Sequence, residues 1–388
     1  MKFFIVLLAA VLLMFCSCGA ETSDVLALYN CRIIDGNGGT PVDNGVIVIK
    51  GDKIDNIGAA KEVSIPWDCK KLDLEGASIL PGFINSHVHK AYDAVTLQNW
   101  LKGGVTTVRD LGPFSNSDYI KKRDEFNRDL QNARIIAATP LITKPGGYGG
   151  LFVESPEDAA AKVNGLIDYG ADIIKIALED DLQGRTWPMM SPEEAKSIVA
   201  AAHARNKRVS AHVSHVRNLP VAIDAGVDDI AHMVVEPMEN ELINKIVEKD
   251  IYWVPTLELW QGVSKIHSLD WDSIAADNLS RFFKAGGKVA LGTDFAGYIC
   301  SFDKGFPITE VTLLKKAGLS NMDIIVAATK NAAYVSDREK HLGTLEKGKI
   351  ADCIVITGNP LENMELLKEP QMVIHNGKIA YKKGGIIE

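Results

Sequence analysis

The sequence predicts an α/β chain: a (β/α)8 barrel, the TIM barrel, carrying a small β-domain built from both chain ends. Three observations predict it. Strand-like and helix-like segments alternate eight times across roughly 260 residues, the size such a barrel needs. Short β runs separated by turn residues occupy residues 25–79 and return after His341. Residues able to bind metals or move protons fall at the C-terminal ends of the predicted strands, where barrels of this kind place their reactive groups.

Taken in order, the chain begins with Lys2 and the apolar run Phe3 to Phe15, the charged and hydrophobic regions of a secretory signal, too short for a comfortable membrane span. Cys16-Ser17-Cys18-Gly19-Ala20 follows and resembles a bacterial lipoprotein signal. Ser17 before Cys18 meets the small-residue requirement better than Phe15 before Cys16, so Cys18 is the candidate lipidated residue. Ordinary cleavage and an uncleaved anchor are the alternatives. The expectation is an exported protein, periplasmic or at the cell surface, meeting the membrane only through a lipid anchor and a tether ending at Ser23.

Residues 24–79 and 342–388 form the predicted β-domain. Leu26–Ile34, Gly45–Lys50 and Lys53–Ile57 read as strands, as do Ala351–Thr357 and Met372–Lys382, the last turning at Asn376-Gly377. Residues 80–341 form the barrel. Its strands are Ser78–Ser86, Val105–Asp110, Arg134–Thr139, Asp172–Leu178, Arg208–His212, Asp228–His232, Tyr252–Thr256 and Lys288–Asp294. Between strands, Ser155-Pro156-Glu157-Asp158 and Ser191-Pro192-Glu193-Glu194 each read as a helix start: a capping serine, proline at the first position, an acid three residues after the cap.

A net charge of -8 argues against nucleic acid as partner and says little else, and 46% hydrophobic with 24% charged residues is an ordinary globular balance; the expected partner, a small-molecule substrate, is read from the site residues below. A homo-oligomer is compatible with the chain. Beyond the signal, Cys31, Cys69, Cys300 and Cys353 form no Cys-x-x-Cys pair and read as free thiols, although an exported protein would permit a disulfide.

The chemistry sits on the strand ends. His87 and His89, one residue apart, share a strand face and can point at one metal ion; imidazole suits zinc and other first-row metals. His212 ends the fifth strand, His232 the sixth and Asp294 the eighth. Lys175 stands within Ile173-Ile174-Lys175-Ile176-Ala177, where burial would lower its pKa. A neutral amine can react with carbon dioxide to form a carbamate whose two oxygens can bridge two cations. The plainer alternative is an ion pair with Glu179 or Asp181. Beside the other candidate ligands, the carbamate is preferred.

These motifs resemble those of the amidohydrolase superfamily from Val25 to the C-terminus. Leu80–His89, Gly104 to Gly112, Gly170 to Lys175, Ala211-His212, Ile230-Ala231-His232, Gly292-Thr293-Asp294 and the tail Leu342 to Asp352 carry the resemblance. It implies a barrel closed by a small β-sandwich and a binuclear site, usually zinc. His87, His89 and Asp294 would hold one ion, His212 and His232 the other, with carboxylated Lys175 between them. The branch containing imidazolonepropionase-related proteins and Xaa-Pro dipeptidases is most similar. True imidazolonepropionases use one metal and lack the bridging lysine, so Lys175 disfavours that name.

The implied reaction is hydrolysis of an amide bond, in a dipeptide or N-acyl amino acid, with Asp294 as ligand and general base. An ester, lactone or cyclic amide would yield to the same attacking hydroxide. A non-catalytic binding protein predicts loss of a ligand or of the base, and none is missing. Three residues are candidate substrate contacts. Arg109 could grip a carboxylate, although pairing with Asp110 or another barrel acid is the preferred reading. Relatives often have histidine where Tyr148 stands, and a second histidine where this chain has Ser214 followed by His215; Tyr148 is a candidate donor to the tetrahedral intermediate, and His215 a contact or only a loop residue. His203, His267, His341 and His375 read as structural or solvated.

Overall fold

The computed structural model describes residues 24–112, 118–182 and 184–384; the predicted signal and tether lie outside them. Among the described residues no helix is long and apolar enough to cross a membrane. Both chain ends enter one sheet. Val25–Ile33 pairs antiparallel with Val42–Lys50, which pairs with Lys53–Ala59. Ser78–Pro81 runs beside the first of these and pairs antiparallel with Cys353–Ile356, joining the N-terminal strands to those near the C-terminus. Met372–His375 and Lys378–Lys382 complete it as a hairpin whose turn residues Asn376 and Gly377 both have positive φ, as the Asn-Gly signal anticipates. Leu28, Ile47, Ile79, Cys353 and Ile374 form the core of this β-sandwich, because alternate residues of each strand face inward.

The expected strand Ser78–Ser86 is two strands. Ser78–Pro81 belongs to the small sheet and Phe83–Val88 opens the barrel. The break falls at Gly82, whose Cα lies so close to the second barrel strand that an added Cβ would sit 2.2 Å from Thr106 Oγ1. Val105–Asp110, Arg134–Ala137, Ile174–Ala177, Val209–His212, Asp229–Ala231 and Tyr252–Val254 follow as parallel barrel strands. The eighth, 288–294, is not a regular strand; it closes the barrel through bridges Val289–Trp253 and Val88–Phe295 and the bond from Ser86 N–H to Leu291 O. The Ala138–Ile173 bridge links the third strand to the fourth.

The helix starts obey the cap logic. Ser191 accepts from Glu194 N–H while the Glu194 carboxylate accepts from Ser191 N–H, a full capping box over Pro192–Ala204. Ser155 caps Pro156–Tyr169 through Asp158 N–H, but the Asp158 carboxylate turns to Glu154 N–H and Lys162 instead. Arg134 of the third strand welds barrel to sandwich, donating to Asp352 and Asn376 at 2.6 Å each. Burial raises the Asp352 pKa, yet Arg134 outweighs that and holds it below the usual value. The four cysteines are free thiols; Cys31 and Cys353 are buried, and burial raises the pKa of both.

Candidate metal centre

Six side chains from five strand ends meet at the C-terminal mouth of the barrel. His87 lies within the first strand and His89 just past it; Lys175 is in the fourth, His212 ends the fifth, and His232 and Asp294 follow the sixth and eighth. The Nε2 atoms of His87 and His89 lie 3.0 and 3.1 Å from the same oxygen, Asp294 Oδ1. His87, His232 and Asp294 each offer a ligand atom, all within 4.8 Å of one another. The His232 ring stands 4.7 Å from that of His87 and 4.6 Å from that of His212, centroid to centroid.

The polar atoms here are buried without partners. Both ring nitrogens of His87, His212 Nε2, Lys175 Nζ and Asp294 Oδ1 make no hydrogen bond. A buried polar group left unpaired costs roughly 1–3 kcal/mol. The imidazole and carboxylate acceptors among these atoms are explained if cations satisfy them, and imidazole with carboxylate is the donor set of such sites. The surrounding groups orient the rings as ligands require. His89 Nδ1 meets Gly112 O at 3.1 Å and His232 Nδ1 meets Thr256 Oγ1 at 2.9 Å, leaving each Nε2 for the centre.

Electrostatics agree at His87 and His232; at His89 burial lowers the pKa, but the bond to Asp294 outweighs it and the group is raised. Burial, with Lys175 nearby, pushes His87 well below the usual histidine pKa; burial and the neighbouring His212 and His87 do the same to His232. Neutral imidazoles are the ligating form. Burial alone would raise Asp294, but the adjacent His87 and His89 imidazoles outweigh it and hold the carboxyl well below its usual range. Burial lowers Lys175 to about 7, so an unprotonated amine is accessible near neutrality.

Local backbone serves the same end. His232 and Asp294 sit at φ 72° and 63°, left-handed values that cost a non-glycine residue on the order of 1 kcal/mol or more and gather at functional sites. Gly297 leaves room for the aspartate: an added Cβ would fall 2.1 Å from Asp294 Oδ2. Gly297→Ala is therefore expected to displace Asp294, cutting activity about 100-fold with little change in thermal midpoint. Kinetics alongside a melting curve check this.

The other candidates divide. Tyr148 lines the cavity, its ring 4.8 Å from that of His212, and burial raises its pKa so that the hydroxyl keeps its proton. Arg109, the candidate carboxylate grip, lies outside the cavity lining. Its guanidinium is fully buried in a two-pronged pair with Asp229, at 2.8 and 3.0 Å, and also donates to Val335 O. The barrel acid it pairs with is Asp229 rather than Asp110, whose carboxylate accepts from Ala91 and Gly112 N–H. His215 also lies outside the cavity lining, between Glu236 and Asp181 O. The alternative ion pair for Lys175 does not form: Glu179 is 3.3 Å from His212 and bonds to Ser214, and Asp181 is exposed.

From the sequence, Trp187, Trp253 and Trp260 could wall a pocket, with ordinary aromatic packing as the alternative; Trp260 does line the cavity, whereas His267, read as structural or solvated, and Trp271 and Tyr298 beside it were missed. His267 ends the helix Leu257–His267, lines the cavity and meets Tyr298 OH at 3.0 Å. Nothing in the local text marks it, because the helix delivers it to the mouth from 35 residues past His232.

That helix starts on a pair of buried carboxyls. Glu310 accepts from Leu257 and Glu258 N–H, and Glu258 accepts from Asp303 N–H. Burial pushes both up to about 8. The folded protein thus retains protons that the unfolded chain releases above its carboxylate pKa of about 4.3. The resulting stabilisation is full below that pH and is lost as pH rises through about 8, at most about 1.4 kcal/mol per pH unit for each carboxyl. Melting curves from pH 5 to 8.5 should show a falling midpoint, and Glu310→Gln should flatten the fall.

With this geometry in hand, the comparisons with known proteins are direct. A profile of the Amidohydrolase family matches residues 78–380. Ochratoxinase from Aspergillus niger is 30% identical across an alignment of 434 positions, covering 94% of this chain and 88% of the relative. A crystal structure of a Xaa-Pro dipeptidase with bound methionine in the active site superposes with a TM-score of 0.80 at 27% identity, covering 92% of this chain and all (100%) of that one. The A. niger ochratoxinase structure matches in fold, with a TM-score of 0.80 at 22% identity over 94% of this chain and 97% of that one.

Proposed function

This chain belongs to the amidohydrolase family, and from that premise we propose that it hydrolyses the amide bond of a dipeptide or N-acyl amino acid with two divalent ions, zinc being the natural choice, bridged by carboxylated Lys175. That it is a metal-dependent amidohydrolase acting on carbon–nitrogen bonds is the firm part of the statement. The observation carrying the rest is the cluster of unpartnered buried ligand atoms around Asp294 Oδ1, with Lys175 Nζ buried nearby and equally unpartnered. His87, His89 and Asp294 would hold one ion and His212 and His232 the other.

Bound cations would supply Lewis acidity and a water whose pKa falls toward roughly 7. The chain's own residues do the rest. Asp294, held ionised, accepts a proton from the attacking water and delivers it to the leaving nitrogen, which must be protonated to depart as an amine. Tyr148, held protonated, donates its hydroxyl hydrogen bond to the oxyanion that develops on the carbonyl. Cavity walls limit access of bulk water.

The dipeptide assignment is supported by the Xaa-Pro dipeptidase similarity and by a cavity that opens at the barrel mouth. The test is a screen of the metal-replete mature protein against dipeptides and N-acyl amino acids; no hydrolysis of any carbon–nitrogen bond would refute it. Export and tethering through Cys18 belong to the same proposal, resting on the Phe3 to Phe15 run and Ser17-Cys18. Mass measurement of the mature N-terminus decides them.

A further inference from the structure

Accepting the hydrolase reading, we infer that one flank of the scissile amide carries a large uncharged aromatic group, seated against a tryptophan wall between the metal centre and the cavity mouth. The cavity holds about 880 Å³. That is near the upper end of the roughly 300–1,000 Å³ typical of small-molecule sites, and larger than a minimal dipeptide requires.

One side of it is apolar from bottom to top. The His232 ring meets Trp260 edge-on at 6.0 Å, and Trp260 meets Trp271 at 5.7 Å and 85°. An unbroken run of aromatic rings thus leads outward from a candidate ligand. Leu259, Val263 and Leu269 fill in around the two indoles. Trp260 is 4% exposed, so its ring is held by packing and offers the cavity a fixed apolar face.

Apolar character continues onto the surface. Leu269 at the rim is 39% exposed; Ile266 and Ile299, next in sequence to rim residues His267 and Tyr298, are 47% and 84% exposed. Of these, Leu269 lines the cavity itself and is an exposed apolar side chain that a ligand can cover.

Charge decides against an ionic group on this flank. Among the described residues lining the cavity there is no arginine, and Lys175, at its floor, is the sole lysine. Arg109 is consumed by Asp229. A carboxylate pressed against Trp260 and Trp271 would lose its hydration without a cation to replace it. A flat aromatic group would instead gain edge-to-face contacts and burial.

The experiment separates this inference from the reading it rests on. Metal-loaded protein is assayed with N-acetyl-L-alanine, N-(2-naphthoyl)-L-alanine and N-acetyl-3-(2-naphthyl)-L-alanine, so that each flank is enlarged in turn. Binding of 2-naphthamide is followed separately by quenching of tryptophan emission. At least one naphthyl compound is expected to exceed N-acetyl-L-alanine in kcat/KM by about 100-fold. Trp271→Ala should remove about tenfold of that preference and should weaken 2-naphthamide binding. Equal kcat/KM for all three substrates, with no quenching, would overturn the aromatic flank and leave amide hydrolysis standing. Quenching that Trp271→Ala weakens, with none of the three hydrolysed, would support the wall while counting against the hydrolase reading.

Discussion

Asp294→Asn is expected to lower turnover about 10³-fold or more while the protein keeps part of its metal. Asparagine preserves shape and one ligand oxygen, but its amide cannot accept a proton. Asp294 is 5% exposed, and its Oδ1 stands between His87 and His89, so little else within the pocket can replace it as base. Kinetics on the best substrate, together with elemental analysis of bound metal, check the expectation. Full activity would mean that proton transfer runs through another group, and complete metal loss would mean that Asp294 acts chiefly as a ligand.

Lys175→Ala should be nearly as severe for a different reason. Nζ is buried, makes no hydrogen bond and is lowered to about 7, so a bare ammonium at this position would be costly. Once carboxylated, the same side chain becomes an anion that two cations can share. Alanine removes both oxygens, and bound metal should fall from about two ions to about one, with activity down at least 10²-fold. The companion measurement is reconstitution of the unmutated apoprotein with and without bicarbonate. Metal content unchanged by the substitution, or reconstitution indifferent to bicarbonate, would leave Lys175 as an ordinary buried amine.

The two substitutions fail differently because the residues differ in what their neighbours supply. Asp294 is surrounded by imidazoles that would still hold some metal, whereas the proposed carbamate of Lys175 is the one group offering an oxygen to each of two ions, and alanine leaves nothing in its place. Gly297→Ala would act through the same carboxylate without touching its chemistry. Comparing it with Asp294→Asn therefore separates position from proton transfer.

The barrel and its candidate ligands were legible in the text because both depend on short-range patterns. Period-two alternation and cap signals locate strands and helices within a few residues, and catalytic groups of such barrels cluster at strand ends. The eighth strand was harder: 288–294 closes the barrel through isolated bridges and ends on the left-handed Asp294. The single strand expected across Ser78–Ser86 breaks at Gly82, where Pro81-Gly82 already reads as a turn, while the close approach to Thr106 is invisible in local sequence.

Sequence by itself determined which side chains could bind metal, because His87, His89, Lys175, His212, His232 and Asp294 carry ligand chemistry at strand-end positions. It also determined the fold that gathers them. Only the tertiary structure decided what those residues face. It gave Arg109 to Asp229, 120 residues away, and Glu179 to His212, and it brought Trp260, Trp271, His267 and Tyr298 to one wall. The physical reason is range: periodicity and capping act over a few residues, whereas ion-pair partners and cavity walls are chosen by packing between segments far apart in the chain.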